Sequence, residues 1–337
     1  MKDTIFTEPT TRRPQVKWED DLMTLTPVQR LGDTWYKRED YFAPLGYGGI
    51  NGAKLRQLIG LLAPQVEAQG VITGCSVLSP QASMTALVAL HYELPVTIVL
   101  GATSAATATR HENIAIADAA GASFHYAPVA YNPALQRAVN DLLLEPEYRG
   151  YYKLAYAITA PDDAADDAIV AFHELGANQV ANFPAGARTL VMAAGSCNSS
   201  VSVLYGLARA RPANLERVIL VAVGPSRVAW MADRFEAIRR ATGVDTAAYL
   251  STLQVERHDL HGTGFAAYGD RMPWREAGIR FHPTYEGKMM RYLRGAQAAE
   301  YVGDDALFWI VGSEPKRSAM LDAFMLDGIP IKGEVKL

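Results

Sequence analysis

Along most of the chain, short apolar runs alternate with longer stretches whose apolar positions recur at helical spacing. The runs Val71–Thr73, Val96–Leu100, Ser123–Tyr126, Leu190–Ala193, Val218–Val223, Gly278–His282 and Leu307–Val311 are rich in branched or aromatic residues and too short for helices, so they predict strands. Ala53–Leu62, Gln81–Tyr92, Glu112–Ala119, Ala164–Leu175, Ser199–Ala210 and Val228–Arg240 predict helices. Strands and helices alternating in this way build parallel sheets covered by helices on both faces, an α/β fold of three αβα layers. Ala160-Pro161-Asp162-Asp163 predicts a helix start, because proline and acidic residues suit the positive end of a helix dipole; it also reads as a return point between two lobes.

Composition narrows the class without choosing within it. The 337 residues are enough for one large or two ordinary α/β domains, and 49% apolar with 20% charged residues is the balance of a globular protein. A net charge of −4 provides no overall basic field for nucleic acid or an anionic membrane, although a local basic groove is compatible with an acidic total. Cys75 and Cys197 lack metal-ligand spacing and read as buried thiols, and no metal site is expected. The opening MKDTIFTEPTTRRPQ has no signal-peptide core and no apolar run reaches membrane-spanning length, so a cytoplasmic protein is expected.

Ligands in open α/β sheets bind beyond the carboxyl ends of strands, and four segments there or beside them carry possible chemistry. In Gly46-Tyr47-Gly48-Gly49-Ile50-Asn51-Gly52-Ala53-Lys54-Leu55-Arg56, a glycine-rich turn leads into a helix with a lysine in its first turn. A helix N-terminus lowers the pKa of an amine, which a Schiff-base lysine needs; a solvated lysine after a glycine turn fits this segment equally well. Ala194-Gly195-Ser196-Cys197-Asn198-Ser199-Ser200 joins a strand run to a helical one, as an anion cradle or as a plain capped loop. Ser76-Val77-Leu78-Ser79-Pro80-Gln81-Ala82-Ser83 offers hydroxyls, or simply an N-cap at Ser79 with Pro80 at the first helical position. In Pro283-Thr284-Tyr285-Glu286-Gly287-Lys288, Glu286 suits a helix start.

Taken in order, KREDYF…GGINGAKLRQL, TGCSVLSPQASMTALVAL, AAGSCNSSVSVLYGLA and HPTYEGK resemble the 1-aminocyclopropane-1-carboxylate (ACC) deaminase and D-cysteine desulfhydrase family, from near Thr26-Pro27 to Gly312-Ser313. The resemblance implies the two-lobed tryptophan-synthase-β-like fold (fold type II) and pyridoxal 5'-phosphate (PLP) as cofactor. A large PLP-binding lobe would comprise residues 1–54 with 161–337, and a small lobe 55–160. It assigns Lys54 to the Schiff base, Gly195, Ser196, Cys197, Asn198 and Ser199 to the cofactor phosphate, and Glu286 to the pyridine nitrogen. Ser79, Tyr285 and Tyr268, which precedes Gly269, would serve the substrate. Departures fall mostly on the substrate side: Pro80 replaces an asparagine of the family, Ala53 replaces another with Asn51 nearby, and Gly312-Ser313 replaces a Gly-Gly.

The implied activity is that of a PLP-dependent lyase or deaminase acting on an amino acid or amine through an external aldimine, by β-elimination, deamination or desulfhydration. Homodimers are the family norm. An alternative is a decarboxylase or lyase for an amino-acid group attached to a larger molecule such as a modified DNA nucleobase. It is motivated by the altered Ser79-Pro80-Gln81 loop and by Arg271, Arg275, Arg280, Lys288, Arg291 and Arg294, which otherwise form a solvated helix face. A cofactor-free binding protein on the same fold is the third reading.

Overall fold

A computed structural model describes residues 21–42, 51–65, 67–102, 104–128, 132–161, 163–295 and 302–313. In chain order its strands are β1 (Val28–Leu31), β2 (Thr34–Arg38), β3 (Gly70–Ser76), β4 (Val96–Gly101), β5 (Ser123–Ala127), β6 (Tyr151–Lys153), β7 (Thr189–Ala194), β8 (Arg217–Ala222), β9 (Gln254–Asp259), β10 (Trp274–Glu276), β11 (Ile279–Phe281) and β12 (Ala306–Ile310). The helices are α1 (Gly52–Leu62), α2 (Gln81–His91), α3 (Ala105–Ala108), α4 (Glu112–Ala119), α5 (Asn132–Leu142), α6 (Asp166–Ala177), α7 (Asn198–Ala210), α8 (Val228–Thr242), α9 (Thr246–Leu250) and α10 (Glu286–Leu293).

A four-stranded sheet runs β5-β4-β3-β6 and is parallel throughout. A six-stranded sheet runs β1-β2-β12-β7-β8-β9, parallel except for the β1–β2 hairpin at its edge. Every residue of β7 and β12 is buried, as a strand covered on both faces must be. Alternate side chains go to opposite layers. Leu190 and Met192 join Leu307, Trp309 and helix residues Val201 and Leu204 on one face. Val191, Phe308 and Ile310 join Met289 and Met290 of α10 on the other. That is the three-layer order that the alternation predicts. Truncating a buried aliphatic side chain here, such as Leu190→Ala, costs about 2–5 kcal/mol.

Some expected elements differ. Gly278–His282 holds only the short β11, whose partner is β10 in a separate antiparallel pair, not a central strand. The helix expected at Ala160–Asp163 begins at Asp166 instead, where Asp166 and Asp167 supply the acidic first turn. Pro80 occupies the N-cap and not the first turn, while Ser79 Oγ still accepts from Gln81 N–H at 3.2 Å. The glycine run Gly46–Gly49 lies outside the described residues. Among the described residues no helix is long and apolar enough to cross a membrane, and no group of His, Cys, Asp or Glu is arranged to hold a metal ion. Both cysteines are buried free thiols, as expected.

Candidate active site between the two sheets

Helix α1 is held firmly at its start. Asn51 caps it by accepting from Lys54 N–H at 3.0 Å, and Gly52 approaches so closely that a Cβ would lie 1.9 Å from the Glu39 carbonyl oxygen. Glu39, almost fully buried, faces the buried Arg56 guanidinium at 3.4 Å, and that guanidinium also lies 3.9 Å from the Phe42 ring centroid. Arg38 grips Asp40 through two bonds of 2.8 and 2.7 Å. The charged KREDYF stretch thus anchors the helix that carries Lys54. At the same helix start, a Cβ on Gly312 would lie 2.7 Å from Asn51 Cα, so the chain leaving β12 can pass this close to α1 only with glycine there.

A cavity of about 710 Å³ opens beyond the carboxyl ends of β3, β7 and β8, within the ~300–1,000 Å³ range of small-molecule sites. Lys54, Ser79, Gly195, Ser196, Cys197, Ser199, Tyr268 and Tyr285 all line it. Asn198 and Glu286 do not. Asn198 is buried and donates through Nδ2 to the carbonyls of Ala157 and Ile158, each at 3.1 Å. Glu286 is fully buried behind lining residues Tyr285 and Val311; its Oε1 accepts from Gly312 N–H at 3.3 Å and its Oε2 has no partner.

The electrostatics favour an amine nucleophile. Burial lowers the Lys54 pKa to about 8, helped by the Arg227 charge, and its Nζ donates to Ala157 O at 3.1 Å. That carbonyl sits in a loop with two consecutive left-handed residues, Ala157 (φ 67°) and Ile158 (φ 51°). Gln81 clamps the same loop, accepting from Ala157 N–H at 2.7 Å and donating to Thr73 Oγ1 at 2.7 Å. A left-handed β-branched residue is held only where its surroundings over-determine it.

At the end of β7, Cys197 takes φ 67° at the start of α7, a helix with no side-chain cap. The loop therefore presents backbone N–H groups beside the hydroxyls of Ser196, Ser199 and Ser200, the arrangement that binds a phosphate. The Tyr268 and Tyr285 hydroxyls lie 3.1 Å apart. Burial raises both phenols, so they stay protonated and serve as hydrogen-bond donors. Burial also pushes Glu286 up to about 8, so near neutral pH it ionises fully only beside a positive partner. A buried amine of low pKa, an uncapped helix start ringed with hydroxyls, and an orphaned carboxyl oxygen fit the aldehyde, phosphate and ring nitrogen of PLP.

Comparison with known proteins decides the family. The chain is 32% identical to the O-seryl-dTMP PLP-dependent decarboxylase of Salmonella phage ViI, over 97% of this chain and 92% of that protein. This chain belongs to the O-seryl-dTMP PLP-dependent decarboxylase family. Its fold is that of the fold type II PLP enzymes. An ACC deaminase homologue superposes with a TM-score of 0.67 at 19% identity, covering 89% of this chain and 94% of the other. Threonine deaminase isoform 2 of Solanum lycopersicum gives 0.53 at 14% identity over 97% of both chains. Diaminopropionate ammonia lyase of Escherichia coli gives 0.54 at 14% identity over 97% and 95%. No protein-family model matches the chain.

Within this decarboxylase-family fold, several lining residues escaped sequence reasoning. Tyr156 and Ala157 lie in a stretch with no distinctive turn or charge signal, whereas Asn132 had one in the Asn132-Pro133 pair that opens α5. Arg227 had one, since Gly224-Pro225-Ser226 is a turn directly after a strand run. Nor do the late basic residues form one solvated face. Lys288 is fully buried and donates to the carbonyls of Ala267 (2.6 Å) and Tyr268 (2.8 Å), anchoring the Tyr268 loop; Arg294 pairs with Glu276 at 2.7 Å.

Proposed function

We propose that this chain is a PLP-dependent decarboxylase acting on an amino-acid group attached to a larger molecule, an O-seryl thymine nucleotide, free or within DNA. The observation that carries the reading is the Lys54 amine on the same cavity as the Gly195–Ser200 loop, in a chain of this decarboxylase family. Lys54 would hold the cofactor aldehyde, Gly195, Ser196, Cys197, Asn198 and Ser199 its phosphate, and Glu286 its ring nitrogen. When bound, PLP supplies the electron sink that accepts the pair released by the broken bond at Cα.

The remaining work falls to the protein. The apolar Val77 and Leu78, beside Ser79 on the lining, give a carboxylate a poorly solvated face, from which loss of charge as CO2 is favoured. The Cα–carboxyl bond breaks, CO2 leaves, and a proton is delivered to Cα. Lys54, with a pKa of about 8, exchanges protons readily near neutral pH and suits that delivery. Tyr268 and Tyr285, both protonated, donate hydrogen bonds that orient the substrate. An O-linked seryl group so becomes an O-linked aminoethyl group. We assign the cofactor-binding lobe to residues 1–54 with 161–337 and the small lobe to 55–160, in a cytoplasmic homodimer whose state sedimentation measures.

Purified protein incubated with O-seryl-dTMP is expected to release one CO2 per turnover and leave the aminoethyl product by mass spectrometry. Lys54→Ala is expected to abolish both that reaction and the near-violet cofactor band. The second reading, lyase or deaminase action on a free amino acid, is supported by the retained Ser79 hydroxyl on the lining. Keto acid and ammonia formed from free amino acids, with O-seryl-dTMP left intact, would establish it instead.

A further inference from the structure

Two cations, Lys54 and Arg227, line the cavity, and none of its described lining residues is Asp or Glu. One anion-binding place is the Gly195–Ser200 loop, in which Cys197, Asn198 and Ser200 are buried and Gly195, Ser196 and Ser199 half-buried. Arg227 is on a separate loop of the same cavity, near enough for its charge to act on Lys54 and Cys197. It follows the turn after β8, beside Pro225 and Ser226, which are both exposed at the cavity mouth. Among the described residues its guanidinium makes no ion pair and no hydrogen bond. Its Cζ lies 5.8 Å from the Trp230 ring centroid, a ring that Arg234 also approaches, at 5.2 Å. A guanidinium against an aromatic face has its plane restrained and its N–H edge free for an anion. Arg227 also heads α8, a 15-residue helix with no side-chain cap and no acidic residue in its first turn.

We propose that Arg227, with the Ser226 hydroxyl, is the anchor for the substrate's phosphate, the monoester of a nucleotide or the diester of a DNA strand. This rests on the reading of the substrate as an amino acid carried by a nucleotide. Two arguments separate a substrate phosphate from the other anions. The cofactor phosphate has its own cradle of backbone N–H groups and hydroxyls on a different loop, whereas Arg227 sits among the exposed Pro225, Ser226 and Val228, where the remainder of a large substrate must leave the cavity. A carboxylate that is to depart as CO2 gains nothing from an arginine. Pairing would stabilise the charged ground state more than the transition state in which that charge disperses.

The test uses holoenzyme, with dTMP and thymidine as probes whose binding is followed by calorimetry. Wild type is expected to bind dTMP at least about tenfold more tightly than thymidine, the scale of one charge-assisted hydrogen bond. Arg227→Gln should erase that difference, leaving thymidine binding and cofactor affinity unchanged; Arg227→Lys should restore part of it. A thymidine oligonucleotide outperforming dTMP in an Arg227-dependent way assigns the site to the diester; the converse assigns it to the monoester. Equal binding of dTMP and thymidine by wild type overturns the proposal. So does an Arg227→Gln protein that loses PLP, which would put Arg227 on the cofactor phosphate. Arg227-dependent preference for dTMP without decarboxylation of O-seryl-dTMP retains the site and removes the reaction. Decarboxylation indifferent to the phosphate does the reverse.

Discussion

Asn198 sits inside the loop expected to hold the cofactor phosphate, yet its side chain points to a different task. Its Nδ2 donates to the carbonyls of Ala157 and Ile158, the two consecutive left-handed residues of the loop that receives Lys54. Asn198→Ala removes two buried hydrogen bonds, each worth about 1 kcal/mol net, and deprives the Ile158 carbonyl of this donor, adding roughly another 1–2 kcal/mol. The expected loss of stability is therefore about 3–4 kcal/mol, read from equilibrium urea unfolding of the apo-protein at neutral pH. Asn198→Asp is nearly isosteric but cannot donate, and it sets a carboxylate against two carbonyls, so it should destabilise at least as much. Competitive acylation of the apo-protein should show altered Lys54 reactivity in both variants, because the carbonyl that holds the amine has lost its clamp. A stability change below about 0.5 kcal/mol in Asn198→Ala, the level of an ordinary surface substitution, with unaltered Lys54 labelling would refute this assignment.

Three further outcomes follow from the site's electrostatics. With its pKa near 8, mainly through burial, Lys54 should be about 9% deprotonated at pH 7, against roughly 0.03% for an ordinary lysine, so a pH series of apo-protein acylation should pick it out by a midpoint near 8. Glu286 is raised by burial to about 8, so the folded apo-protein binds more protons than the unfolded chain between about pH 4.5 and 8; the stability linked to this group is full below that window and is lost as pH rises through it. Glu286→Gln should flatten that part of the apo-protein's pH–stability curve, and an unchanged slope would count against it. Burial pushes the Cys75 thiol to about 12 and Cys197 to about 11, so a disulfide reagent at mildly alkaline pH should label neither in the native protein and both after unfolding.

The sequence was most informative where burial is two-sided. β4, β7, β8 and β12 are nearly continuous apolar runs whose expected bounds agree to within a residue, while β3 runs three residues past the expected Thr73 because Gly74, Cys75 and Ser76 lack a strand signal. β9, with residues Gln254–Asp259 all at least partly exposed, reads as polar chain, and β6 is three residues long; neither leaves a periodic trace. The β1–β2 hairpin and α5 were missed too, the latter being amphipathic with only Leu135 and Val139 buried. For the site, motif order brought out Lys54, the Gly195–Ser199 loop and both tyrosines, because those residues sit in turns with distinctive composition. Ala157 contributes a carbonyl, which no residue type signals. Gln81 and Lys288 act by holding backbone groups distant in sequence, which local pattern cannot reveal. That Glu286 lies behind Val311, and not on the lining, depends on how β12 meets α10.

The strand order of the larger sheet has a consequence for biosynthesis. β12 lies between β2 and β7, so neither finds its final neighbour until the chain has grown some 270 residues past β2. At ~5–20 residues per second, translation takes about 13–55 s to cover that distance. For all that time the edge of β2 opposite β1 lacks its hydrogen-bonding partner on the ribosome, the corresponding edge of β7 lacks its own for about the last 110 residues, and Gly312 has yet to arrive beside Asn51. The smaller sheet, by contrast, is complete within one uninterrupted stretch from β3 to β6, and it can fold early as a template. The lysine-bearing helix consequently receives Gly312 as a neighbour only after β12 has been made, about 260 residues beyond Lys54, so the competence to capture cofactor comes after the other strands of both sheets.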